Sequence, residues 1–80
     1  MDIHHGSGHF WTTFVEDRAQ GFAGYDLHRE SFGREAVVGR TAFWDAAGGF
    51  VFRTFDSEDV PIEVVEAAIA EARAQIKISA

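Results

Sequence analysis

Phe50-Val51-Phe52-Arg53-Thr54-Phe55 is followed directly by Asp56-Ser57-Glu58-Asp59-Val60-Pro61, and the change between these two runs decides the fold class. The first run is dense in aromatic and β-branched residues, as strands are. The second is an acidic, proline-bearing lead-in to a helix. Proline suits the first helical turn, where its missing N–H costs nothing, and carboxylates suit the positive end of the helix dipole. Arg73 and Lys77 suit the negative end. Ile62, Val65, Ile69, Ala72 and Ile76 then recur at helical spacing and predict a single apolar stripe.

Upstream, Asp45-Ala46-Ala47-Gly48-Gly49-Phe50 is a hairpin signal, because glycine takes positive φ without strain. It joins the strand Phe50–Phe55 to a strand over Glu35–Trp44. Phe10-Trp11-Thr12-Thr13-Phe14-Val15 and Phe22–His28 form an earlier pair around the turn Glu16–Gly21, with Arg29–Arg34 as the connection. Met1–Gly8 is polar and glycine-rich and reads as a flexible N-terminal arm. The expectation is an α+β fold: a four-stranded antiparallel sheet, made of two hairpins, packed on one C-terminal amphipathic helix. Residues 9–80 make one domain.

The turns suggest a register. Asp17 opposite Phe22 pairs Phe14 with Tyr25, Thr12 with Leu27 and Trp11 with His28. Asp45 opposite Phe50 pairs Phe43 with Phe52, Trp44 with Val51 and Ala42 with Arg53. Alternation then puts Val37, Thr41, Phe43, Phe50 and Phe52 on the helix side. Trp11, His28, Arg40, Trp44, Arg53 and Phe55 fall on the outer side.

A chain of 80 residues has room for one core. Without cysteine, that core is held by packing alone, for which eight Phe, two Trp and one Tyr supply the material. No apolar run approaches the ~18 residues of a membrane span, and no signal-peptide pattern opens the chain, so a cytoplasmic location is expected. Thirteen acids against seven bases give a formal net charge of -6. That balance disfavours direct contact with a phosphate backbone, which depends on Lys and Arg. It favours a basic protein surface.

The residues that carry chemistry are few. His4, His5 and His9 are the only candidates for a metal site. Their spacing matches no metal-helix motif and the glycines among them do not preorganise a geometry, so neither a metal nor a cofactor is expected. Ser7, Ser31, Ser57 and Ser79 fall in loops, a cap or a terminus, outside any nucleophile elbow. Asp26 and His28 alternate onto one face as an acid–base pair without a nucleophile beside them. The chain is therefore not expected to be an enzyme.

Between Arg53 and Arg73 lie Asp56, Glu58, Asp59, Glu63, Glu66 and Glu71, and no base at all. None of Glu63, Glu66 or Glu71 has a Lys or Arg three or four residues away to pair with. These six carboxylates are the expected partner-binding residues, with Trp11 and Trp44 as aromatic anchors. In overall profile the chain resembles the small inhibitors encoded by phages and mobile elements, anti-CRISPR proteins among them. The resemblance implies a stoichiometric inhibitor, monomeric or homodimeric, whose carboxylates occlude a basic nucleic-acid-binding site on a CRISPR-type defence complex. An antitoxin or immunity protein neutralising a basic toxin, and a metal-binding protein built on His4, His5 and His9, are the alternatives.

Overall fold

The computed structural model describes residues 1–76. Lys77, expected at the helix C-terminus, and Ser79 lie outside the described residues. Five strands run β1 (Asp2–His5), β2 (Gly8–Asp17), β3 (Phe22–Ser31), β4 (Arg34–Trp44) and β5 (Gly49–Thr54), followed by α1 (Ile62–Gln75). Their spatial order is their chain order, so the sheet is an antiparallel meander. No helix among the described residues is long and apolar enough to cross a membrane.

The α+β class and the C-terminal helix agree with the sequence, but the sheet has five strands among the described residues and not four. Asp2–His5, read from sequence as part of an arm, pairs with β2 through Asp2 opposite Trp11, Ile3 opposite Phe10 and His4 opposite His9. The Gly6-Ser7 link closes this hairpin, with Gly6 at φ 59°. Polar side chains disguise the strand, because its outer side is open to solvent.

Two loops at one end of the sheet share a design. Arg18–Gly21 and Asp45–Gly48 each end on a glycine in the left-handed region, Gly21 at φ 76° and Gly48 at φ 66°. The Asp45 N–H donates to the Gly21 carbonyl at 2.9 Å and ties the loops together. The β2–β3 register is the one expected, with Asp17 opposite Phe22 and Trp11 opposite His28. Between β4 and β5 the register differs by two residues: Phe43 faces Phe50, Thr41 faces Phe52 and Arg40 faces Arg53. Here Gly49 joins the strand while Asp45 enters the loop. A shift of two leaves every side chain on its expected face.

One face assignment does change. A bulge in β4 sets His28 opposite Val37 but Leu27 opposite Gly39, which leaves Val38 as the extra residue. Val38 turns inward and is fully buried, whereas Val37, expected on the helix side, is exposed. A bulge of this kind bends the strand and re-aims one side chain. Around it, Phe10, Leu27, Val38 and Val64 form the core, flanked by Met1, Phe52 and Val60.

The helix is rotated relative to its expected stripe. Val64, Ala68 and Ala72 are its buried residues, and Ile62 is 72% exposed. The three buried positions are four residues apart, so they line one face. The two alanines are small enough to let the helix backbone lie close to the sheet, while Val64 reaches into the cluster with Phe10 and Leu27.

Candidate functional site

The expected carboxylates divide once the chain is folded. Glu58, in the lead-in, meets Arg29 of β3, whose Nη2 donates to Glu58 Oε2 at 2.7 Å. Glu71 accepts from the Met1 amino group and from the Thr12 hydroxyl. Both groups are partly buried, so these two acids are structural ties between helix, lead-in and sheet. Their partners are 29 and at least 59 positions distant in sequence, beyond any helical-spacing rule. The unpaired acidic strip expected from the sequence is correspondingly shorter.

Four of the six carboxylates face solvent: Asp56, Asp59, Glu63 and Glu66. Glu63 has His5 at 3.6 Å, across a pair with exposed side chains. Asp56 and Ser57 adopt φ of 55° and 54°, the left-handed region that non-glycine residues seldom occupy. This double reversal carries the chain from the end of β5 into the lead-in of α1. Asp56 at this turn and Asp59 in the lead-in are both exposed, and Glu63 and Glu66 follow on the exposed face of the helix.

Trp11 and Trp44 lie on the other side of the molecule. Phe10 is in the core, so Trp11, its neighbour in β2, points away from α1. Trp11 stacks on His28 with centroids 5.3 Å apart and planes 6° apart. Trp44 packs on Phe22 at 4.5 Å. Arg40 lies over Phe22 and Phe55, at 4.9 and 5.6 Å from their centroids. It also donates from Nε to Asp26 Oδ1 at 2.6 Å. The expected aromatic and arginine face therefore exists, but it is back to back with the acidic helix. One flat partner surface cannot touch both.

Asp26 and His28, paired in the sequence reading, take separate partners. Asp26 is held by Arg40, and the His28 ring meets the Thr13 hydroxyl at 2.8 Å.

The histidines also divide. His4 and His9, directly opposite across β1 and β2, stack with centroids 4.4 Å apart. His9 Nε2 lies 2.8 Å from Asp2 Oδ1. His5, on the other side of β1, belongs with Glu63. Asp2 was missed in the sequence because it joins the two histidines only through the hairpin register.

Phe32 stands apart from all these groups. It occupies the two-residue turn between β3 and β4 at φ 53°, followed by Gly33 at φ 78°, and is 89% exposed. Positive φ at both positions is the type I′ turn, which asparagine or aspartate followed by glycine fills with least strain. A large apolar side chain there gains no packing from the fold.

No family model, curated protein or solved structure matches this chain.

Proposed function

We propose that this protein is a stoichiometric binding protein that docks a basic protein surface through the solvent face of α1 and its lead-in. The observation that carries this reading is the run of exposed carboxylates Asp56, Asp59, Glu63 and Glu66 over the lead-in and first turns of α1, in a chain of net charge -6. Carboxylates already engaged with Arg29, Thr12 and Met1 have no charge to spare for a partner, so Glu58 and Glu71 leave the proposed interface. Their role is to fix the strip in place.

An exposed strip of one sign steers encounter and excludes acidic partners more than it adds contact energy. A basic groove that normally holds nucleic acid presents the complementary field, and occupying it would exclude the nucleic acid. The resemblance in overall profile makes a CRISPR-type defence complex the first target class to test, with a basic toxin as the second. The chain itself would not contact nucleic acid, since its bases are too few and Arg29 and Arg40 are paired internally.

Affinity capture with the wild-type chain, followed by binding measurements against salt, tests this reading. A nucleic-acid-handling protein is expected to be retained, with affinity falling steeply as the Debye length shrinks from about 10 Å at 0.1 M toward 3 Å at 1 M. Affinity that does not change over that range would remove the electrostatic basis of the proposal.

A further inference from the structure

We propose that Asp2, His4 and His9 form a binding site for a divalent transition cation of the zinc class on the outer face of the β1–β2 hairpin. This inference is independent of the acidic helix strip. The three residues each offer one ligand atom, and those atoms all lie within 4.8 Å of one another. Ligands held about 2.0–2.2 Å from a tetrahedral zinc are separated by roughly 3.3–3.6 Å. The three atoms would close by roughly 1–1.5 Å at most to reach that spacing.

The hairpin supplies the preorganisation that the glycine-rich sequence conceals. His4 and His9 are cross-strand partners, and Asp2 sits opposite Trp11, two residues beyond His9 along β2. Alternation puts all three on one face. The His9–Asp2 contact at 2.8 Å is the interaction that a cation would replace. Trp11 packs at 5.0 Å from the His9 ring and limits its rotation. Beside the cluster an open groove is lined by Asp2, His9, Trp11, Glu30 and Glu35. Its lining has three carboxylates and no Lys or Arg, so its field favours a cation. Glu30 is held in place by accepting from the Gly33 N–H at 3.1 Å.

Imidazole and carboxylate together suit zinc, nickel, cobalt and copper better than magnesium or calcium. Three protein ligands leave a fourth position for water or for a group from a ligand. Two nearby groups are not ligands. His5 points to the opposite face, toward Glu63, and the Met1 amino group is engaged by Glu71 and Thr12.

The test is titration of the tag-free chain with Zn2+ by calorimetry, and with Cu2+ by quenching of tryptophan fluorescence. One cation per chain is expected. His4→Ala and Asp2→Asn should each weaken Zn2+ binding at least 10-fold. His5→Ala should leave it within about twofold, and Trp11→Phe should abolish most of the Cu2+ quenching. Asp2→Asn keeps the side-chain shape, so its loss of binding with unchanged circular dichroism separates ligation from misfolding. Absence of one-to-one binding would overturn the proposal. So would a His5→Ala effect as large as that of His4→Ala, since a merely histidine-rich segment would depend on all of its imidazoles alike.

Discussion

Between α1 and the sheet, Leu27, Val38 and Val64 are completely enclosed, whereas on the opposite face of the same sheet Trp11 stacks on His28, Trp44 packs on Phe22 in partial contact with solvent and Arg40 bridges to Asp26. The first face is held by removing apolar surface from water, at ~25 cal/mol per Å². The second is held by aromatic pairs worth about 0.5–1.5 kcal/mol each and by a part-buried ion pair worth about 1 kcal/mol. A small chain without disulfides must draw most of its stability from the first. The second face is then free to keep groups whose value is chemical, and the hairpin cluster of Asp2, His4 and His9 lies there.

Cutting into the enclosed face should have the largest effect. Leu27→Ala should destabilise the fold by about 2–5 kcal/mol, read as a shift in the midpoint of urea unfolding. In a domain this small that is enough to unfold a large fraction of the chain. A loss below about 1 kcal/mol would mean that the core does not rest on Leu27. On the open face, Arg40→Ala should cost about 1–2 kcal/mol, through lost contact with Phe22 and Phe55 as well as the lost pair with Asp26. If it cost as much as Leu27→Ala, the two faces would not differ in kind.

The carboxylates of α1 divide in the same way at smaller scale. Glu71→Gln removes a charge-assisted contact between helix and sheet and should cost about 1 kcal/mol. Glu66→Gln alters only a solvated position and should stay within about 0.5 kcal/mol. Equal costs in urea unfolding would show that Glu71 is not the tie described here.

Particular residues explain which parts of this arrangement the sequence made legible. The β2–β3 register could be read because a loop ending on Gly21 leaves one sensible partner for Asp17. The β4–β5 register was two residues out because Gly48 and Gly49 are adjacent and only Gly48 takes positive φ. The bulge at Val38 left no trace in the alternation of Val37 and Val38, which are identical residues. Of the expected helix stripe only Ala72 is fully buried; Val64 and Ala68 take the places beside it, and Ile62 faces solvent. The acidic strip was visible as a run without bases, but Arg29 and Thr12 reach it through the fold and not along the helix. Asp2, His4 and His9 become a group only after β1 has paired with β2.

The helix side and the sheet side can be set against each other with one captured partner. Its affinity would be determined for the wild type, for Asp56→Asn/Asp59→Asn/Glu63→Gln/Glu66→Gln on the helix side, and for Trp11→Ala/Trp44→Ala on the sheet side, with folding checked by circular dichroism. Binding through the acidic helix predicts at least a 10-fold loss for the first variant and little change for the second. Retained binding in the first variant with loss in the second would place the interface on the aromatic face and rule out docking through the acidic helix.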